Sequence, residues 1–137
     1  MNTSTPDILV VGGAGYIGSH VVKALRDAGR QPVVFDNLST GLRENLFPEI
    51  PFIHGDLLIP EQVRAAMRGI RSVIHLAALK AAGDSMLEPE RYALHNLNGT
   101  VNLLHAAGTA GVRHFVFSSS AAVYGLSLIH ISEPTRH

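Results

Sequence analysis

One short stretch constrains this chain more than any other feature: Gly12-Gly13-Ala14-Gly15-Tyr16-Ile17-Gly18. It follows Asp7-Ile8-Leu9-Val10-Val11, an apolar run of the kind a strand buried on both faces shows. It leads into Ile17, Val21, Ala24, Leu25 and Ala28, which recur at helical spacing up to a natural stop at Gly29. A strand that passes through closely spaced glycines into a helix has a side-chain-free turn. That turn opens onto the free N–H groups and positive dipole end of the helix, a site for a pyrophosphate. Two spacings overlap here: Gly13, Gly15 and Gly18, or Gly12, Gly15 and Gly18. A glycine turn that merely permits packing is the alternative. The next apolar run, Pro32 to Phe35, argues against it, because it closes on Asp36, 18 residues past Gly18. An acid at that place accepts hydrogen bonds from both adenosine ribose hydroxyls and repels a 2′-phosphate, which favours NAD over NADP.

The rest of the chain continues the alternation. Asn37 to Pro48 is polar and turn-rich, a loop, and Phe52-Ile53-His54 is a third strand stopped by Gly55-Asp56. Pro60 suits a first helical position, and Val63, Ala66, Met67 and Ile70 give that helix its buried stripe. Ser72 to Leu76 is a fourth strand and His114 to Ser118 a fifth. Between them Glu88 to Ala110 is a long helix carrying Leu94, Leu97, Val101 and Leu104 on one face. Gly99 inside it costs about 1 kcal/mol relative to alanine, so a compensating close packing is expected there. Strands alternating with helices mean βαβ units, a parallel sheet and an α/β class. Right-handed crossovers then favour a Rossmann-like doubly wound sheet of about five strands in the order 3-2-1-4-5.

Composition excludes several functions. The 137 residues are 46% apolar and 16% charged, too hydrophobic for a disordered chain. Cysteine is absent, which removes disulfides, thiolate metal sites and a cysteine nucleophile, and fits the cytoplasm. Eleven basic residues balance eleven acidic ones without a Lys/Arg cluster, against a nucleic-acid partner. The eight histidines are scattered with no His-x-x-x-His pair, so no metal site is expected. No apolar stretch is long enough to span a membrane, and Met1 to Asp7 has no signal-peptide character.

Several motifs together resemble the extended short-chain dehydrogenase/reductase family, and within it the UDP-glucose 4-epimerase branch of the NAD-dependent epimerase/dehydratases. They are Gly12 to His20, Asp36 to Gly41, Gly55-Asp56-Leu57, Val73 to Ser85, Asn98-Gly99-Thr100 and Phe115 to Gly125. The resemblance covers about residues 7–125. Its discriminating part is Ala77-Ala78-Leu79-Lys80-Ala81, since related dehydratases and glucuronate epimerases usually lack that lysine. Taken alone, Lys80 would read as a solvated loop lysine.

The resemblance implies roles. Tyr16 and Ile17 would lie over the pyrophosphate with Gly12, Gly15 and Gly18. Asp36 and Asn37 would hold the adenosine ribose. Asp56 and Leu57 would contact adenine, with a helix-capping acid as the plainer alternative for Asp56. Leu76, Ala77, Ala78 and Lys80 would line the nicotinamide side. Ser120 would hydrogen-bond the sugar hydroxyl being oxidised, whereas Ser118 and Ser119 suit a strand end and Tyr124 suits packing. The implied cofactor is NAD, the substrate a UDP-sugar, and the assembly of the intact enzyme a homodimer. Some positions depart from the family: His95-Asn96 stands where Asn-Asn is usual, which puts the cofactor contact of the first Asn in doubt, and Val11, Ala82 and Asp84 replace Thr, Val and Glu.

The family's base is the tyrosine of Tyr-x-x-x-Lys. Here the residues four after Tyr16, Tyr92 and Tyr124 are His20, Asn96 and Leu128. The resemblance therefore describes residues 1–125 as an incomplete NAD-binding domain, without the C-terminal substrate domain, in a polypeptide expected to be inactive. Leu126 to His137 departs from the family and resembles translated sequencing-adapter DNA; the alternative is an extra strand from Leu126 to Ile131. A sheet ending at Ser118 would leave an edge rich in Phe and Val, and poor solubility is expected. Two other functions remain open: another nucleotide-sugar epimerase or dehydratase, and a non-catalytic nucleotide-binding module.

Overall fold

The computed structural model describes residues 5–77 and 89–118. Five parallel strands form one sheet: β1 (Ile8–Val11), β2 (Pro32–Asp36), β3 (Phe52–His54), β4 (Ser72–His75) and β5 (His114–Phe117). Their order is β3-β2-β1-β4-β5, the order expected from right-handed crossovers in the sequence. Val10 sits at the centre, paired with Val34 on one side and Ile74 on the other. Helices α1 (Tyr16–Asp27), α2 (Pro60–Ala66) and α3 (Pro89–Ala110) fill the connections. The loop expected after β2 contains one 3-10 turn, Arg43–Asn45.

Every residue of β1 and β2 is buried, because helices cover both faces of the sheet. Side chains alternate between those faces. Leu9, Val11, Val33, Phe35 and Val73 pack with Val63, Met67 and Ile70 around α2 and with Leu103, Ala106 and Ala107 of α3. Ile8, Val10 and Val34 pack on the other side with Val22 and Leu25 of α1 and with Leu46, Phe47 and Ile50 of the loop after β2.

The long helix turns a different face inward from its leucine stripe. Leu94, Leu97, Val101 and Leu104 are 49–58% exposed. The inward face carries Gly99, Leu103, Ala106 and Ala107 instead. Small side chains there let α3 lie close to its neighbours, and Gly99 shows why. A Cβ on Gly99 would sit 3.1 Å from Leu57 Cβ, so the glycine admits the loop after β3. At the outer strand of the described sheet, Val116 and Phe117 are each 54% exposed, the apolar edge expected from the sequence. Among the described residues, no helix is long and apolar enough to cross a membrane.

Candidate dinucleotide-binding cleft

The chain reverses its winding between β1 and β4, and an open doubly wound sheet places its ligand crevice beyond the carboxyl ends of the strands at such a point. A cleft of about 660 Å³ lies there. Each strand end contributes to it: Gly12 after β1, Asp36 at the end of β2, Gly55 after β3, His75 and Leu76 at β4, and Ser118 after β5.

The glycine turn forms its floor. Gly12 has φ +89°, and a Cβ there would lie 2.7 Å from the Ala77 nitrogen. A Cβ on Gly18 would collide with the Gly12 carbonyl oxygen. Gly15 N–H donates to that same oxygen at 3.2 Å. The Gly12, Gly15, Gly18 spacing thus makes the tight turn. Gly13 instead faces Val34 on the covered side of the sheet. Gly15 caps α1 and supplies no side-chain hydrogen bond, and the first turn of α1 holds no acid. The early N–H groups of α1 and its dipole are therefore offered to the cleft.

Asp36 faces the turn across the cleft, and its carboxylate organises two loops. Oδ2 accepts the Ala14 N–H at 2.9 Å, and Oδ1 accepts the Leu38 N–H at 2.8 Å. Leu38 has φ +62°, a strained conformation for a residue with a side chain, which the carboxylate helps to hold. Two ionised oxygens offer about four acceptor sites, so capacity remains for ligand hydroxyls. Asn37 Oδ1 accepts the Ser39 N–H at 2.9 Å.

The third wall is the loop after β3. Asp56 Oδ1 accepts the Leu58 N–H at 2.9 Å. The cap of α2 is Ile59, without a side-chain cap bond. Asp56 therefore closes a local turn instead of capping the helix, which corrects the plainer alternative. Helix α3 anchors this loop: Asn102 Nδ2 donates to the Leu57 carbonyl at 2.8 Å.

All the candidate residues within the described segments meet in this one cleft: Gly12, Gly15, Tyr16, Ile17, Gly18, Asp36, Asn37, Asp56, Leu57, Leu76 and Ala77. Ala78, Lys80 and Ser120 lie outside the described residues. His95 and Asn96 line the cleft from α3. Ser118 lines it too, its N–H bound to the His75 carbonyl at 3.1 Å.

His75 was not singled out by its sequence context. It is buried, and its Nε2 lies 3.1 Å from Thr100 Oγ1 on α3. Among the described residues its Nδ1 has no hydrogen-bond partner, and Phe117 packs against the ring at 5.3 Å. Burial pushes its pKa down to about 4, so the imidazole is neutral at physiological pH. Strand alternation puts it on the same face as Val73, and that was the available signal.

Comparison with known proteins agrees with this geometry. The model of the NAD dependent epimerase/dehydratase family matches residues 8–136. The chain is 46% identical over 120 residues to a UDP-glucose 4-epimerase of Streptomyces lividans, a match that covers 85% of this chain and 36% of that protein. The structure of UDP-glucose 4-epimerase from Thermotoga maritima with UDP-glucose superposes with a TM-score of 0.79 at 40% identity, covering 83% of this chain and 38% of that one. The Thermus thermophilus UDP-glucose 4-epimerase complex with NAD gives 0.78 at 41% identity, covering 83% and 37%. The chain thus spans little more than a third of the length of these relatives. Matched along almost its whole length, and carrying the glycine turn and the acid that closes β2, the chain belongs to the NAD dependent epimerase/dehydratase family.

Proposed function

We propose that the cleft binds NAD and that the chain is the dinucleotide-binding part of an enzyme that interconverts UDP-glucose and UDP-galactose by transient oxidation at C4 of the sugar. One observation carries the reading: the Gly12–Gly18 turn opens the uncapped start of α1 onto a cleft closed by the Asp36 carboxylate. The residues fit the group. A Cβ at Gly12 or Gly18 would strike the chain's own backbone, so the tight turn needs glycine there. The side of Gly15 is open, its nearest neighbour the Gly12 carbonyl oxygen at 3.5 Å, as close approach of a diphosphate to backbone demands. The NAD complex and the UDP-glucose complex among the similar structures support the pairing of cofactor and substrate class.

On this reading the α1 N–H groups hold the diphosphate, and Asp36 and Asn37 hold the adenosine ribose. Asp56 and Leu57 border adenine, while Leu76, Ala77, Ala78 and Lys80 border the nicotinamide. Bound NAD supplies reversible hydride acceptance. Ser120 hydrogen-bonds the sugar hydroxyl that is oxidised. A tyrosine has a pKa of about 10 and serves as a base near neutral pH only when a neighbouring cation lowers it. None of Tyr16, Tyr92 and Tyr124 has a lysine four residues on, so the 137-residue polypeptide binds NAD without turning over substrate. Cytoplasmic location and homodimeric assembly of the whole enzyme belong to the same proposal, on the resemblance alone.

Equilibrium dialysis with NAD and NADP, run beside a spectrophotometric assay with UDP-galactose, tests this. The expected result is NAD binding, weaker NADP binding and no turnover. Failure to bind NAD, or turnover above background, overturns the corresponding half.

A further inference from the structure

The segment between β2 and β3 grips the glycine turn from behind. Ala14 is the one side-chain-bearing residue between Gly12 and Gly15, and it is fully buried. Both of its backbone groups are held from outside the turn. Its N–H goes to Asp36 Oδ2 at 2.9 Å. Its carbonyl oxygen accepts twice from the segment after β2: from the Leu42 N–H at 3.1 Å and from Asn45 Nδ2 at 2.8 Å. Gly41 comes so near that a Cβ there would lie 2.8 Å from Ala14 Cβ.

The peptide joining Ala14 to Gly15 is therefore pinned at both ends. Asn45 and Leu42 hold its oxygen, and its N–H reaches the Gly12 carbonyl. The next N–H groups along the chain, those of Tyr16, Ile17 and Gly18, are the ones α1 offers to an anion, and their direction follows from that peptide. Asn45 is itself braced. Its N–H donates to the Leu42 carbonyl at 3.0 Å. Further along, Glu49 accepts from Arg26 of α1 at 2.7 Å, and the same guanidinium lies 4.7 Å above the Phe47 ring. Asn45 is not among the residues that line the cleft.

We propose that Asn45 is a positioning residue for the diphosphate: its amide sets the Ala14–Gly15 peptide so that the first N–H groups of α1 point into the cleft. This rests on the reading that the cleft binds NAD. A side chain that merely stiffened the loop would affect every ligand alike. A residue that aims the phosphate cradle affects ligands with a diphosphate and spares those without one.

The test is calorimetric titration of the full 137-residue chain with NAD, ADP and adenosine, for the wild type and Asn45→Ala, Asn45→Asp and Asn45→Gln. Loss of one part-buried hydrogen bond should weaken NAD and ADP about fivefold or more in the Ala and Asp variants, with adenosine changed by less than about twofold. The Gln variant, which keeps a donor, should fall between. If alanine prevents folding, the Gln and Asp variants carry the same comparison. Equal NAD affinity in all variants overturns the proposal, and so does a parallel loss of NAD and adenosine. A wild-type chain that binds none of the three overturns the NAD reading itself, and the role of Asn45 with it.

Discussion

Replacing Asp36 by asparagine separates the two tasks of one carboxylate. The side chain is nearly buried, 9% exposed, and two backbone N–H groups converge on it, from Ala14 at 2.9 Å and Leu38 at 2.8 Å. Asparagine keeps the shape but has one acceptor oxygen and a donor NH2. Ala14 is fully buried and its N–H cannot turn to water, so the amide oxygen must stay on it. The NH2 group then faces the Leu38 N–H, donor against donor, at a residue already held at φ +62°. Losing that bond to a charged acceptor should cost about 1–3 kcal/mol of stability. The ribose loses its charged acceptor as well, which should weaken NAD by about ten- to hundredfold. The difference between NAD and NADP should narrow, because a 2′-phosphate no longer meets a negative charge. Urea denaturation reads the first effect, and calorimetric titration with NAD and NADP reads the others. An Asp36→Asn chain that binds NAD as tightly as the wild type would refute the ribose assignment. Unchanged stability would refute the claim that the carboxylate braces both loops.

Three other outcomes follow from the geometry. Gly18→Ala puts a methyl group against the Gly12 carbonyl oxygen, so NAD affinity should drop at least about tenfold by titration; undiminished binding would contradict the tight turn. Gly99→Ala should forfeit the gain of about 1 kcal/mol that alanine brings to a helix interior, because the new methyl meets Leu57 Cβ at 3.1 Å. In a Leu57→Gly background, which removes that Cβ, the same change should stabilise, and a denaturation cycle that shows full stabilisation in both backgrounds would show that Leu57 is not the obstacle. His75 has its pKa pushed by burial from 6.5 down to about 4. The unfolded chain thus takes up a proton there before the folded one does, and stability is lost as pH falls from about 6.5 to about 4, by up to roughly 3 kcal/mol. His75→Phe should flatten that slope in urea titrations at several pH values; parallel curves for the two proteins would contradict it.

Much of this structure was legible in the residues, for identifiable reasons. The apolar runs at Ile8–Val11 and Pro32–Phe35 read as doubly covered strands because helices do cover both faces. The residue that ends the second run, Asp36, read as a ribose-binding acid because it closes that strand 18 residues past the glycine turn. The penalty at Gly99 announced a close neighbour without naming it, and Leu57 is that neighbour. The long helix was harder. Leu94, Leu97, Val101 and Leu104 form a regular stripe, but the tight contact at Leu57 selects the face with Gly99, Leu103 and the alanines, and that stripe is left outside. Asn45 and His75 were hidden for another reason. Each acts through one long-range hydrogen bond, Asn45 to Ala14 and His75 to Thr100, and no periodicity records a contact between segments so far apart in the chain.

The account stands on the cleft being a dinucleotide site, and amide chemical shifts of the isotope-labelled chain during NAD titration test that most directly. Saturable shifts should concentrate at Gly15 to Gly18, Asp36 to Leu38 and Asp56 to Leu58, with β5 residues at the outer edge little affected. No shifts at saturating NAD, or shifts confined to surfaces away from the glycine turn, would contradict the account.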